Sequence, residues 1–343
     1  MTKPKVAIIV PTIREKEIKK FLRVWQKELI ALSNTYIFQL YVVEDNPDQT
    51  FDIDSKFPFP LQHFTWSDIK KKLGKDAWII PRRTDAIRSF GVLSAYEEGC
   101  DYFITLDDDC YPYYEQGNKP GYFIETHLKN LTLYQNSENI WVNTLNGYKP
   151  RGYPYLSTNV EREITNGAVS HGLWVNVPDF DSITSLSLSK KDQYFDHIRN
   201  QLIPKGTFFP MCSMNLAWRR SVTPLMYFLL MGKDEQEKKY DYDRFGDIWC
   251  GLLLKKIIDK LDLQVTSGEP CIYHQRASNA FENLQKEAPG IKQNEILWKD
   301  IDSLQLTSST IKELYIELAS HLPQYSPYWE KLSQAMLIWI HLF

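Results

Sequence analysis

An apolar, β-branched run opens the chain, with the sequence KVAIIVPTI at residues 5–13. A run of this kind, without alternating polar residues, is typical of a strand buried on both faces of a sheet. Residues 15–32 then repeat apolar side chains at helical spacing, and residues 36–45 form a second apolar run. Strand, helix and strand in this order predict βαβ units, and therefore a mostly parallel sheet flanked by helices.

The alternation continues through a helical pattern at residues 84–99 to a third strand, which ends in three consecutive aspartates. In parallel sheets ligands bind at the carboxyl ends of the strands, where Thr12, Asp45 and the run from Asp107 to Asp109 all fall. Adjacent carboxylates repel one another, so we expect a divalent cation, Mn²⁺ or Mg²⁺, to offset their charge. A solvated loop or a helix N-cap is the alternative that the run leaves open.

Composition narrows the class of protein. The chain has 343 residues and a net charge of −3, which argues against nucleic acid as the main partner. The first residues lack the long apolar region of a signal peptide, and no segment reaches the length of a membrane span. The five cysteines are scattered without a CxxC pair, as expected for free thiols in a reducing compartment. We therefore expect a soluble, cytoplasmic protein without a membrane span.

Longer sequence motifs are specific to one family. They are RGYPY at 151–155, AVSHGLWVNVPDFD at 168–181, IPKGTFFPMCSMNLAW at 203–218 and YHQRASNAFENLQKE at 273–287. With the DDDC run at 107–110, these motifs make the chain resemble the reversibly glycosylated polypeptides, the family of UDP-arabinopyranose mutases. The resemblance covers residues 5–295, and the tail beyond it has no counterpart that we can place.

The resemblance implies a GT-A-like, Rossmann-type α/β catalytic domain over residues 1–295, and the helical pattern of residues 296–343 predicts a C-terminal extension. It implies a metal-dependent mutase without flavin, which interconverts the pyranose and furanose forms of a UDP-linked sugar and glycosylates itself reversibly on an arginine. The alternatives are a glycosyltransferase that passes the sugar to a separate acceptor and a non-catalytic partner subunit that binds the nucleotide-sugar. The family also implies assembly into a homo-oligomer.

The resemblance identifies three candidate catalytic residues. Arg151 in RGYPY corresponds to the glycosylated arginine, either as the covalent carrier of the sugar or as a bystander beside a reactive carbon. Arg162 corresponds to a second functional arginine of the family, with an exposed loop arginine as the alternative. Asp247 retains one of two acidic residues that plant members carry, and Gly246 replaces the other. A protonated guanidinium is a poor nucleophile, so we expect Asp247 to take its proton or to stabilise the adduct.

The resemblance and the strand-end rule together suggest a metal site. The expected ligands are Asp107, Asp109 and His274, of which Asp109 is favoured because it is the last acid of the run. His274 ends the predicted strand EPCIYH and would bind through a neutral ring nitrogen. A purely structural histidine is the alternative for His274.

The remaining candidates would bind the substrate. Asp45 could accept the N3–H of a uracil ring or form a turn, and Asp68 could serve the base or cap the following helix. We expect Arg88 to contact a phosphate through both of its terminal nitrogens. Trp174 would stack on the sugar or lie in the core. The other expected substrate-binding residues are Thr12, Asp107, Asp108 and His171.

The final segment, YWEKLSQAMLIWIHLF at residues 328–343, is strongly apolar. Its large side chains, among them Trp329 and Trp339, share one face of a predicted helix. An apolar face of this kind either forms an interface between protein chains or docks onto its own catalytic domain. The sequence leaves both possibilities open.

Overall fold

The computed structural model describes residues 2–53, 57–114, 117–132, 166–187, 200–234, 236–275 and 278–343. Apart from short 3₁₀ segments, the elements follow in chain order. They are β1 (Lys5–Thr12), α1 (Glu15–Leu32), β2 (Ile37–Glu44), β3 (Leu61–Phe64), α2 (Trp66–Leu73), α3 (Arg88–Glu97), β4 (Tyr102–Leu106), β5 (Cys110–Pro112), α4 (Tyr122–Asn130), β6 (Gly167–Asn176), α5 (Ser182–Ser187), β7 (Gln201–Ile203), β8 (Asn215–Arg219), α6 (Gly246–Lys260), β9 (Gln264–His274), α7 (Ala280–Ser303), α8 (Ile311–Ser320) and α9 (Pro327–Ile340).

The strands form one mixed sheet in the order β3-β2-β1-β4-β8-β6-β9-β5, and β7 pairs with β9. The first four strands run parallel, as the βαβ alternation predicts, and β8 joins them antiparallel to β4. Farther along the sheet, β6 and β9 are parallel to each other. The prediction of an α/β fold with a mostly parallel, Rossmann-type sheet flanked by helices is confirmed, and the arrangement agrees with a GT-A-like fold.

The continuous apolar run of β1 reflects burial on both faces. Ile8 and its alternate neighbours lie in the same hydrophobic cluster as Trp25 of α1, whereas Ile9 lies in the cluster that contains Phe90 of α3. The helix α3 approaches the sheet so closely that a Cβ on Gly91 would lie 2.8 Å from Cγ2 of Ile9. Close contact from both sides holds β1 in place, and its carboxyl end is thereby fixed at the ligand-binding edge.

The C-terminal helices pack onto the rest of the chain. The ring of Trp339 stacks on that of Tyr227 with centroids 5.2 Å apart, and its Nε1 donates to the carbonyl oxygen of Pro224 at 2.9 Å. Of the two possibilities for the final segment, the structure shows docking onto its own chain. The helix α7 runs through residue 295, so the two expected units share this helix as well as one hydrophobic cluster.

The cysteines agree with the sequence-based expectation. All five are free and buried, so the prediction of buried free thiols is confirmed. Among the helices in the described part of the chain, none is both long enough and apolar enough to cross a lipid bilayer.

Candidate active site

Two cavities lie side by side at the carboxyl ends of β1, β2 and β4. The larger, of about 670 Å³, extends towards α6 and α7, and the smaller, of about 540 Å³, extends over β1 and β2. Both volumes are within the range of small-molecule sites. Arg83, Thr84, Asp85 and Asp107 line both cavities, so a single elongated ligand could occupy the two together.

Two arginines offset the charge of the aspartate run. Arg88 donates from Nη2 to Oδ1 of Asp107, and Nη2 of Arg14 lies 3.0 Å from Oδ2 of Asp109. Arg14 also forms an ion pair with Asp108. Asp108 and Asp109 are only 2% and 7% exposed, so the run is neither a solvated loop nor a free N-cap. The arginines therefore offset part of the negative charge of the three aspartates, which the sequence analysis expects a cation alone to offset.

Thr12 joins this network at the end of β1. Its hydroxyl donates to Oδ2 of Asp108 and accepts the backbone N–H of Arg14 at 3.0 Å. Arg14 is absent from the residues that the sequence suggests, although it follows Thr12 by two positions at the same strand end. The strand-end rule that selects Thr12 could have selected Arg14 as well.

Asp109 and His274 face each other, with Nε2 of His274 3.8 Å from Oδ1 of Asp109. Nδ1 of His274 lies 2.7 Å from the carbonyl oxygen of Val177, which can only accept, so Nδ1 carries the proton. The lone pair of Nε2 is therefore free for a cation, as in metal sites where a carbonyl fixes the histidine tautomer.

The described residues contain no group of three or more His, Cys, Asp or Glu side chains arranged to hold a metal. Asp107, the third expected ligand, is bound by Arg88. The residues present therefore fit a cation that is coordinated by two protein groups, Asp109 and His274. Phosphate oxygens of a bound ligand would fill further coordination positions.

Asp45 lies in the wall of the smaller cavity at the end of β2. It accepts the indole N–H of Trp66 at 2.6 Å and the backbone N–H of Arg83. Burial raises the pKa of Asp45 to about 6. An ionised carboxylate offers about four lone pairs, so Asp45 can accept one more hydrogen bond from a ligand.

Arg88, the expected phosphate contact, has its hydrogen-bond partners within the protein. It is fully buried, and its guanidinium donates to Thr105 Oγ1 at 2.6 Å and to the carbonyl oxygens of Ser213 at 2.7 Å and Asp85 at 2.9 Å. A further N–H binds Asp107. These donors point into the protein because α3 begins at Arg88, beneath the end of β4. Arg88 therefore positions Asp107.

Three other expected substrate contacts have partners within the protein. Oδ2 of Asp68 accepts the backbone N–H and the hydroxyl of Thr65, at 2.8 and 3.0 Å, and so caps α2 as the alternative reading predicts. His171 is buried, which lowers its pKa to about 4, and Nδ1 of this neutral ring lies 2.8 Å from Ser267 Oγ. Trp174 is half-buried and packs against a hydrophobic cluster. None of the three is among the described residues that line the two cavities.

The larger cavity is rich in charged groups. Arg244, at its wall, has a φ of 63°, which is uncommon for a residue other than glycine and is characteristic of functional sites. Its Nε donates to Oε1 of Glu287 at 2.9 Å, which fixes the guanidinium at the wall. The acidic residues of the wall are Asp85, Asp107, Asp179, Asp181, Asp243, Asp247, Glu287 and Glu295, and the basic ones are Arg83, Arg244 and Lys286.

The expected catalytic residues are only partly covered by the structure. Asp247 lines the larger cavity as expected of a group that acts on a sugar. Arg151 and Arg162 lie outside the described residues. Asp85 and Ser213 also line this cavity and are not among the sequence candidates, although both stand in sequence segments close to candidates.

The Rossmann-type mixed sheet flanked by helices, with a charged double cavity at its carboxyl edge, agrees with a GT-A-like fold. The chain belongs to the reversibly glycosylated polypeptide family, whose sequence profile matches residues 1–343. The match includes the tail, so the expectation that residues after 295 have no family counterpart is wrong.

Named relatives cover nearly the whole chain. UDP-arabinopyranose mutase 1 of Arabidopsis thaliana is 37% identical over an alignment of 358 positions, which covers 99% of this chain and 92% of that protein. Probable UDP-arabinopyranose mutase 1 of Zea mays is 36% identical, over 99% of this chain and 90% of that protein. UDP-arabinopyranose mutase 1 of Oryza sativa subsp. japonica is 34% identical with the same coverage.

Proposed function

We propose that this protein is a nucleotide-sugar mutase that interconverts the pyranose and furanose forms of a UDP-linked sugar such as UDP-arabinose. The observation that carries the proposal is the pair of adjoining cavities, in a chain whose relatives are named UDP-arabinopyranose mutases. The nucleoside would occupy the smaller cavity and the sugar the larger one. Asp107 and Arg83 line both, so the diphosphate would lie beside them.

Binding of the nucleotide would use the ends of β1 and β2. Asp45 would accept the N3–H of uracil, and Trp66 would keep the carboxylate oriented through its indole N–H. Among the described residues, Arg14 and Arg83 line the smaller cavity and would lie near the diphosphate. Arg83 takes the role that the sequence assigns to Arg88, because its side chain is 56% exposed.

A divalent cation, Mn²⁺ or Mg²⁺, would neutralise charge on the departing diphosphate when bound at Asp109 and His274. The chain's own residues prepare this place. The carbonyl of Val177 fixes the tautomer of His274, and Arg14 lowers the repulsion between Asp108 and Asp109. Flavin has no part in the proposed reaction.

The sugar must be carried while its ring changes. Arg151 is the proposed carrier, through reversible glycosylation of a guanidine nitrogen, and Arg162 is the second candidate of the family pattern. The guanidinium must lose a proton before a nitrogen can attack C1. Asp247 suits the acceptor's part because burial raises its pKa to about 7, and it would pass the proton on to the departing diphosphate.

The proposal is tested by incubating the protein with Mn²⁺ and a panel of UDP- and dTDP-pentoses, without acceptor or flavin. Anion-exchange chromatography should reveal an isomeric nucleotide-sugar from one member of the panel. Consumption only after a sugar acceptor is added would identify a glycosyltransferase instead. Tight binding of UDP-sugars without any product would identify a non-catalytic partner subunit.

Asp45→Asn is expected to reverse the preference for uracil over cytosine. In the variant, the amide oxygen must face the indole N–H of Trp66, because two donors cannot face each other. The amide NH₂ therefore takes the place of the carboxylate oxygen that would accept from the base. Uracil presents N3–H and cytosine presents an acceptor at N3, so UDP affinity should fall about tenfold or more relative to CDP, as an unpaired polar group costs about 1–3 kcal/mol.

The measurement is competition between UDP and CDP by isothermal titration. Asp48→Asn is a suitable control, because Asp48 is exposed in the same loop and is not among the described lining residues. An unchanged UDP-to-CDP ratio in Asp45→Asn would contradict the placement of the base.

A further inference from the structure

Ser213 places its hydroxyl between two carboxylates in the wall of the larger cavity. Its Oγ lies 2.9 Å from Oδ2 of Asp85 and 3.0 Å from Oδ2 of Asp247, and all three residues line that cavity. Asp247 is fixed further by backbone N–H groups, since Oδ2 accepts from Ser213 at 3.0 Å and Oδ1 from Ile248 at 2.9 Å. The two carboxyl groups are thus bridged by a single hydroxyl.

Proton counting constrains the charge of this group. A hydroxyl has one hydrogen and can donate to only one of its two neighbours, whereas an ionised carboxylate can only accept. With both carboxylates ionised, one close oxygen–oxygen contact would have no hydrogen between its atoms. A proton on one carboxyl completes the chain, because that acid donates to Ser213 Oγ and Ser213 donates to the other carboxylate. The geometry therefore fits one proton held by the pair.

The surroundings of Asp247 favour retention of that proton. Burial is the main cause that raises the pKa of Asp247 to about 7, and the charges of Asp85 and Asp179 raise it further, while Arg88 opposes them. Two thiols, those of Cys212 and Cys250, also face Asp247, and burial raises the pKa of both above the usual range, so they stay protonated.

We propose that Asp85, Ser213 and Asp247 act as a proton-sharing triad that moves protons between the sugar oxygens while the ring opens and recloses. This inference rests on the proposed mutase function. It assigns two residues, Asp85 and Ser213, to the sugar end of the site. Neither is among the sequence candidates, although Ser213 stands within the family motif at 203–218.

The reaction on an aldopentose exchanges the oxygen that closes the ring at C1. The C1–O5 bond breaks, its electron pair leaves with O5, and O5 takes the proton of the neutral carboxyl. O4–H gives its proton to the ionised carboxylate, and O4 then donates its electron pair to form the C1–O4 bond. Ser213 relays a proton between the carboxyl groups, so the triad ends with the single proton with which it began.

The carrier balances the electrons at C1 in the same steps. The nitrogen lone pair of the glycosylated guanidine forms a C=N bond to C1 when the C1–O5 bond breaks. The pair returns to nitrogen when O4 attacks C1. The carrier is therefore neither oxidised nor reduced, and the triad supplies and removes only protons.

The test separates ring change from cleavage of the sugar–diphosphate bond. Exchange of radiolabelled UDP into UDP-sugar requires only that cleavage, whereas interconversion also requires the ring to open. Asp85→Asn and Ser213→Ala should lower kcat for interconversion by about 100-fold or more, the range typical of general acid–base groups, with UDP exchange retained. The ionisation near pH 7 in the kcat–pH profile should also move to lower pH in Asp85→Asn, because the charge of Asp85 raises the pKa of Asp247. Asp302→Asn, exposed on α7, is the control.

Two results would overturn the proposal: near-normal interconversion in both variants, or a parallel loss of UDP exchange in variants with normal melting temperatures. A second measurement does not depend on activity. Near pH 7, the infrared difference between the wild type and either Asp85→Asn or Asp247→Asn should contain the carbonyl band of one protonated carboxyl that the variant has lost. A difference spectrum without that band, for either variant, would exclude the shared proton.

The same measurement distinguishes failure of this inference from failure of the proposed function. Suppose that the wild-type protein interconverts no sugar, but that the band is present and is lost in both variants. The shared proton would then be supported, whereas the mutase function, and with it the role of the triad in ring opening, would be excluded.

Discussion

Deletion of residues 327–343 is expected to abolish the cooperative melting transition of the protein. These residues include α9, in which Trp329 and Trp339 are fully buried. Trp339 stacks on Tyr227 and donates to the carbonyl of Pro224, so it is integrated into the core around the sheet. Truncation of one buried tryptophan typically costs about 3–5 kcal/mol, and the whole native state is stable by only about 5–15 kcal/mol. Loss of the helix should therefore exceed the available stability.

Single substitutions provide the graded test by thermal unfolding. Trp329→Ala should lower the melting temperature strongly, whereas Gln334→Ala, exposed on the same helix, should leave it nearly unchanged. A deletion variant that melts like the full chain but has a lower mass by light scattering would show that α9 forms contacts between copies.

Removal of divalent cations with EDTA is expected to abolish interconversion, and Mn²⁺ or Mg²⁺ should restore it. Asp109→Asn replaces an anionic oxygen facing His274 by a neutral group. It should lower the affinity for Mn²⁺ in the presence of UDP by about 100-fold or more, since loss of a partner outside the ligand sphere already costs about 10–100-fold. Isothermal titration with Mn²⁺ measures this without reference to activity.

A matched control is Asp101→Asn, at the opposite end of β4, where the carboxylate accepts the backbone N–H of Lys5 at 2.8 Å. It should leave Mn²⁺ affinity unchanged. Arg14 keeps its partner Asp108 in Asp109→Asn, so the metal-free variant should remain folded. Full turnover in a metal-stripped sample, or unaltered Mn²⁺ affinity in Asp109→Asn, would contradict the cation site.

The local elements of the fold were predictable because burial imposes clear periodicities. Strand β1 is apolar throughout since both faces are covered, and α1 repeats apolar residues at helical spacing. Strand direction was not predictable in the same way, because an apolar run such as β8 has the same pattern whether it runs parallel or antiparallel. The position of α9 was undecided for a related reason: an apolar helix face does not specify whether its partner is the same chain.

The candidate site was predictable in position but not in its pairings. The strand-end rule located Thr12, Asp45 and the aspartate run, and all of them lie at the expected edge of the sheet. It could not indicate that Arg88 is buried beneath Asp107, since that depends on the packing of α3 against β4. The bridge from Ser213 to Asp85 and Asp247 joins side chains far apart in sequence, and only the folded chain brings them within hydrogen-bonding distance.

The central claim is that the site breaks and re-forms the bond between the sugar and the diphosphate while the sugar ring changes size. The direct measurement uses UDP-arabinopyranose with ¹⁸O in the oxygen that joins C1 to the β-phosphate. The account predicts that the furanose isomer appears and that ¹⁸O in recovered nucleotide-sugar moves to non-bridging positions, because the freed phosphate can rotate before it rejoins C1. Formation of the isomer with ¹⁸O still entirely in the bridge, or no isomer at all, would contradict it.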